Sequence, residues 1–210
     1  SESINKLGDT YKLSYTFQNS DDAGLWFGAT HAPAKWGTVT TGAEVRFGRI
    51  DAHDVYRTST DDILRSGNMI AIGAFVQDEA KLNARVSLTG GLRLDVAGFF
   101  DGRLTVKDPT KATGFSSNSD QFFGSSHWQA ISPRVGIKYF LSKVVGFQAA
   151  VSSGFMPAKL DDLCSSRKIT KGFKIANPNL KPETLNNAEI GMSLKPVSSL
   201  YIDFTAYYSY

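Results

Sequence analysis

Arg85-Val86-Ser87-Leu88-Thr89-Gly90-Gly91-Leu92-Arg93-Leu94-Asp95-Val96-Ala97-Gly98-Phe99 alternates residue by residue. The even positions from Val86 to Val96 are apolar or glycine. The odd positions from Arg85 to Asp95 are polar, charged or glycine. A period of two puts these sets on opposite faces of a β-strand, one apolar and one polar. No helical period competes with it in this stretch.

The same reading extends along the chain. Val39, Val45 and Phe47 oppose Thr40, Glu44 and Arg46; Val135, Ile137 and Tyr139 oppose Arg134, Gly136 and Lys138. Val145–Ser152, Asn187–Leu194 and Tyr201–Tyr210 repeat it, and Lys12–Gln18, Ala23–Thr30 and Asn68–Glu79 carry weaker versions. Together these segments predict nine strands and an all-β chain. The polar faces carry large charges, among them Glu44, Arg46, Arg93, Asp95, Arg134, Lys138 and Glu189. In a soluble sandwich or lipocalin-like barrel such charges face water and the apolar face packs inward. In an outer-membrane barrel the apolar face meets lipid and the charges line the lumen. Alternation alone does not choose.

The connections discriminate. Short links at His31–Gly37, Ala80–Ala84, Leu141–Lys143 and Lys195–Ser199 alternate with long segments at Arg49–Gly67, Asp101–Ala130 and Gly154–Pro182. Short turns at one end and long loops at the other are the pattern of an antiparallel transmembrane β-barrel, with periplasmic turns and extracellular loops. Trp26, Phe27, Phe99, Phe100, Tyr139, Phe140, Tyr207 and Tyr208 lie near strand ends, where an interfacial girdle would form. Nine strands is an odd number and would leave bare edges in lipid. Residues 1–210 are therefore read as one partial barrel domain.

Composition agrees. The 210 residues are 41% hydrophobic and 20% charged, with 23 basic and 20 acidic side chains and a net charge of +3. There is no dense basic run to suggest nucleic acid. No apolar stretch is long enough for a membrane-spanning helix, whereas spanning strands need only about 9–11 residues. The single cysteine, Cys164, cannot form an internal disulfide, and the three histidines show no metal-ligand spacing. Neither a cofactor nor a metal site is expected.

Three stretches resemble the TonB-dependent outer-membrane receptors. Phe75-Val76-Gln77-Asp78-Glu79, followed by Leu88–Asp95, is similar to that family's "FVQDEW" strand, turn and "LGLRYD" strand, with Ala80 where Trp is common. Ile131–Tyr139, followed by Ser153-Gly154-Phe155-Met156-Pro157, resembles "SPRLGLVY" and "SRGFRAP", with Met156 replacing the Arg-Ala pair. Asn177-Pro178-Asn179-Leu180-Lys181-Pro182-Glu183, followed by Ala188–Gly191, resembles "NPNLKPE" and "YELG" nearly letter for letter. The resemblance covers Gly67 to Tyr210; Ser1 to Ser66 fit as preceding strands without a motif.

The resemblance implies a plugged barrel of about 22 strands, which at about 10 residues each exceeds this length before any loop. It also implies a plug and a TonB-contacting box, neither of which is found here. A receptor of this family sits in the bacterial outer membrane, within its lipid. It binds a scarce nutrient, commonly a ferric siderophore, cobalamin or haem, and imports it with energy from the TonB complex. No enzyme activity is implied. Haem-transporting members carry a histidine between the boxes resembling Gly154–Pro157 and Asn177–Leu180, and this chain has none there.

Ligand contacts are expected from the long loops. Candidates are Tyr56 and Arg57 in one, and Phe122, Phe123, His127 and Trp128 in the next. Aromatics with cations suit a bulky anionic or catecholate ligand. The lumen charges are expected to pair, because an isolated buried charge is costly. Two other readings remain. A small closed barrel of eight or ten strands, acting as a passive pore or adhesin, requires an even strand count. An outer-membrane lipase or protease requires a nucleophile with a base, and no Gly-x-Ser-x-Gly elbow or triad spacing surrounds His31, His53 or His127.

Overall fold

The computed structural model describes residues 2–7, 10–34, 37–169 and 172–210, with side chains for 13–32, 37–168 and 172–210. Its strands are β1 Glu2–Leu7, β2 Thr10–Ala34, β3 Gly37–Tyr56, β4 Asp62–Lys81, β5 Val86–Lys107, β6 Ser119–Phe123, β7 Ser126–Phe140, β8 Val145–Met156, β9 Arg167–Ile169, β10 Gly172–Lys174, β11 Glu183–Val197 and β12 Leu200–Ser209. One short helix, α1, spans Leu160–Cys164. The strands form an antiparallel meander in the order β1-β2-β3-β4-β5-β7-β8-β11-β12, with β6 also on β5. β9 and β10 make a separate small hairpin in the last long loop.

Among the described residues, eight strands of ten or more residues cross the sheet, not nine. Lys12–Gln18 and Ala23–Thr30 are parts of one continuous strand, β2. The turn following it, at residues 35 and 36, lies outside the described residues. The other short links are residues 82–85, 141–144 and 198–199. The loops at the opposite end are shorter than the alternation suggests, because β3, β4 and β5 continue well past it.

Exposure settles which environment the apolar face meets. Ile131, Val135, Val151 and Ile190 are 57–66% exposed, as are many of their neighbours to lesser degrees. They align in cross-strand rows. Val135, Val151, Ala188 and Tyr208 form one, and Ile137, Ala149, Ile190 and Ala206 the next. A sandwich would bury these rows; water around so extended a patch is unfavourable, and lipid is not. Outward-facing Phe47 and Phe100 pack together at the loop-side border, their ring centroids 6.5 Å apart. Tyr139, Phe147 and Phe204 share a row at the turn-side border. Trp26, Phe99 and Tyr207 are not part of this girdle. Trp26 and Tyr207 pair with the interior-facing Glu44 and Glu189, and Phe99 is buried at 1% exposure.

The interior face is polar within the lipid band. Glu44, Gly73 and Asp95 are opposite one another on β3, β4 and β5. The Arg93 guanidinium lies over Gly73, donating to Glu44 at 2.5 Å and to Asp95 at 2.7 Å. A Cβ on Gly73 would lie 2.9 Å from Arg93 Cζ, so only glycine leaves room for this bridge. Arg46, Arg134, Lys138 and Glu189 have no ion pair among the described residues.

Candidate functional site

Past the lipid band the interior face changes character. On β3 it continues as Ile50, Ala52, Asp54 and Tyr56; on β4 as Ile63, Arg65 and Gly67. β5 reaches the same level through a bulge. Ser66 pairs with Arg103 and Asn68 with Phe100, which leaves Asp101 and Gly102 opposite Gly67. Asp101 takes φ +54°. The extra residue reverses the parity of β5, so Ala97 and Phe99 face inward before it, and Leu104 and Val106 after it.

The long loop between β8 and β11 folds back against this face. Leu163 and Cys164 of α1, with Ala158, pack on Ile50 and Phe99; Phe123, Trp128 and Leu160 border them. A Cβ on Gly67 would meet Phe99 Cε2 at 2.9 Å and Cys164 Sγ at 3.3 Å, so this glycine admits the helix. A second cluster joins Ile63, Leu104 and Val106, flanked by Tyr56, Phe115 and Phe123. Phe115 meets Phe173 edge to face at 5.0 Å, which ties the β5–β6 loop to the β8–β11 loop.

Asp61 anchors the β5–β6 loop. It is 2% exposed. It accepts hydrogen bonds from Ser59 Oγ at 2.6 Å, Thr110 N at 2.8 Å, Thr110 Oγ1 at 2.5 Å and Thr113 Oγ1. Burial pushes its carboxyl up, but the hydroxyl and amide donors outweigh this and hold it below the ordinary value.

The β8–β11 loop is held by charge. Arg65, 6% exposed in its side chain, pairs with Asp54 and stands 3.9 Å from Asp161. Asp161 also meets Arg167 at 3.3 Å and Lys174 at 2.9 Å, and Lys174 bridges to Asp162. Burial raises the Asp161 carboxyl, yet Lys174, Arg167 and Arg65 together hold it below its usual range. Burial pushes the Cys164 thiol up to about 11. Between the wall and the two loops opens an inward-facing cleft of about 180 Å³, lined by Tyr56, Arg65, Thr113, Phe115, Arg167 and Lys168 among others.

The sequence candidates distribute unevenly around this site. Tyr56 lines the cleft. Phe123 and Trp128 pack against the loop core beside it. Arg57 instead lies over the Tyr15 ring at 5.4 Å. Phe122 pairs with Arg103 and takes its guanidinium over the ring at 4.8 Å on the outer wall. His127 is exposed, opposite Gly98, whose neighbour Ala97 faces inward. The motif residues form the stem of the β8–β11 loop. Gly154 and Phe155 pair with Leu185 and Thr184, and Met156 with Glu183. Asn177 makes a tight turn, accepting from Leu180 N at 3.1 Å and Asn179 N at 3.0 Å, and its own N–H donates to Asp162 O. Pro157, Pro178 and Pro182 are partly covered, and Lys181 is exposed.

Arg65, Asp61, Thr113, Asp161, Arg167 and Lys168 carry no local signal; long-range pairing alone assembles them. A larger concavity of about 810 Å³, bordered by Phe17, His53, Arg103 and Lys107, opens on the outer wall. There Arg103 pairs with Asp120 at 2.7 Å and His53 with Asp62 at 2.6 Å, while Lys107 makes no ion pair among the described residues. The interior cleft, closed in by the wall and two loops, is the better candidate.

Solved structures share the architecture. The ferric yersiniabactin uptake receptor FyuA from Yersinia pestis superposes with a TM-score of 0.72 at 12% identity, covering 99% of this chain and 31% of that one. The copper transporter OprC gives 0.67 at 18% identity over 94% and 31%. The Serratia marcescens hemophore receptor HasR gives 0.66 at 14% identity over 94% and 34%. The chain spans about a third of the length of these structures. No curated protein matches the sequence. The model of the family described as TonB dependent receptor-like, beta-barrel matches residues 2–210. The inverted faces, the uneven loops and this match lead to one assignment: the chain belongs to the TonB-dependent receptor β-barrel family and is part of a bacterial outer-membrane barrel.

Proposed function

We propose that residues 1–210 form a partial barrel domain, supplying wall and outward vestibule to a receptor for energy-coupled uptake of a scarce nutrient. The observation that carries this reading is the interior cleft at the loop end, where Arg65, Arg167 and Lys168 converge with Tyr56 and Phe115. Cations beside aromatic and hydroxyl groups suit a chelate with anionic oxygens, such as a ferric siderophore. The histidine-free loop between Pro157 and Asn177 disfavours haem and leaves a ferric siderophore or cobalamin. Under this reading the long loops face outside and the TonB complex acts through a plug region. The cargo crosses without any bond being made or broken, so no catalytic residue is required.

The test is uptake of radiolabelled iron chelates and cobalamin by cells with and without the gene. Uptake of one of them is lost on deletion, and lost again when the inner-membrane proton gradient is collapsed. Uptake that survives collapse of the gradient would leave a passive pore and defeat the proposal.

A further inference from the structure

We infer that the outer wall above the lipid band binds the sugar portion of an outer-leaflet glycolipid. The site is the concavity of about 810 Å³ on the face away from the lumen, within the range of ligand pockets, about 300–1,000 Å³. Strand register builds it from two rows. Phe17, His53, Leu64, Thr105 and Asp120 form one, and Asn19, Asp51, Ser66 and Arg103 the other. Both rows continue the outward phase of Val45 and Phe47, so they look sideways over the membrane and not into the lumen. Phe17 is 62% exposed and Leu64 is partly buried among polar neighbours, which leaves an apolar floor facing water.

Height separates sugar from phosphate. Asp51 and His53 lie four and six residues beyond Phe47, whose ring marks the apolar border with Phe100. At about 3.3 Å per residue and a strand tilt of about 40°, they stand about 10–15 Å above that border. The headgroup zone of one leaflet reaches only about 5–8 Å beyond the hydrocarbon. The chemistry of the rim agrees. The Asn19 amide and the Ser66 hydroxyl make no hydrogen bond among the described residues. Asn118 Oδ1 accepts from Asp108 N at 2.7 Å, which leaves its amide hydrogens free, and Asp51 meets Arg49 through Oδ2 alone. Donors and acceptors are thus interleaved around an aromatic ring. A sugar hydroxyl, like that of Ser or Thr, is both donor and acceptor, and the C–H face of a sugar ring covers apolar surface. An oxyanion would instead meet the Asp51 and Asp120 carboxylates on the same rim. So open a site holds a free sugar weakly, whereas a glycolipid anchored beside it is present at high effective concentration.

The test uses the full-length protein carrying this chain, purified in detergent and freed of bound lipid. Lipopolysaccharide extracted from the same outer membrane, its released oligosaccharide, and its sugar-stripped lipid A are titrated calorimetrically. The lipopolysaccharide binds, the oligosaccharide displaces it at higher concentration, and lipid A binds at least tenfold more weakly. The variant F17A/N19A changes two exposed side chains and weakens lipopolysaccharide binding at least tenfold. N19A/S66A, which removes only unpaired polar groups, weakens it at least threefold. K107Q on the rim changes it less than threefold, and Q129A on the neighbouring β7 wall leaves it unchanged. Lipid A binding as tightly as lipopolysaccharide, or binding lost in K107Q and kept in F17A/N19A, would mean that phosphate and not sugar is recognised, and would overturn the inference. Absence of lipopolysaccharide binding, failure of the oligosaccharide to displace it, or equal binding by both double variants would overturn it as well.

Discussion

Replacing Asp61 by Ala removes the acceptor on which the β5–β6 loop hangs. Four hydrogen bonds end on this carboxylate, from Ser59, Thr110 twice and Thr113. Hydrogen bonds to a charged group contribute about 1.5–3 kcal/mol each, but they are not additive. Ser59 and Thr110 lie near solvent and rehydrate. Thr113, 2% exposed, keeps only a 3.3 Å bond to Thr110 O. The net local cost is therefore about 3 kcal/mol, because the Thr113 hydroxyl exchanges a charged acceptor for one long neutral bond and the other donors exchange it for water. At 1.4 kcal/mol per decade that is about a hundredfold in the opening equilibrium. The Thr110 amide reports it directly, because its N–H donates to Asp61 Oδ1. Hydrogen exchange of the full-length protein should show that amide about a hundred times faster in Asp61→Ala. Asp61→Asn keeps one acceptor oxygen and should lose about half as much free energy, roughly tenfold in exchange. Unchanged protection at Thr110 in Asp61→Ala would refute the reasoning.

Other outcomes follow from the same geometry. The Asp61 carboxyl sits below its ordinary value of 3.8, so its contribution is fully present above that pH and is lost as pH falls through the lower folded-state value; loop protection followed by exchange should decline only there. Gly73→Val should expel the Arg93 guanidinium from between Glu44 and Asp95, costing about 1 kcal/mol for a pair one-third exposed, read as a lower urea midpoint of the folded barrel. Leu94→Arg, on the lipid face at 50% exposure, should cost about 2–4 kcal/mol and reduce the heat-modifiable folded form, whereas Arg46→Leu on the interior face should not. Cys164, 0% exposed with its thiol pushed up to about 11, should resist maleimide in the native protein and react in Gly67→Val, where the added side chain lifts α1 from Phe99.

The alternation of Arg85–Phe99 determined by itself that the chain is β, and uneven loop lengths pointed to a barrel, while the exposed apolar rows of the folded sheet decided that this face meets lipid. Both sequence signals are local: strand period is set by backbone geometry, and turn length by the chain between strands. The motif resemblance reached the family for the same reason, since Gly154–Pro157 and Asn177–Glu183 are contiguous and form one loop stem. What alternation could not convey begins at the edge of the lipid. Below it Glu44 and Arg46 face inward and Val45 and Phe47 outward; above it Ile50 and Ala52 face inward and Arg49 and Asp51 outward. The strand continues unbroken, but its hydrophobic phase inverts, because the interior is now filled by a loop and the exterior is water. On β5 the bulge at Asp101 shifts the parity as well. Segments that look like loops are therefore strand extensions. The cleft was hidden for the same physical reason. Arg65 and Arg167 lie far apart in sequence, and only the fold-back of α1 onto Gly67 and Phe99 brings their charges into one space.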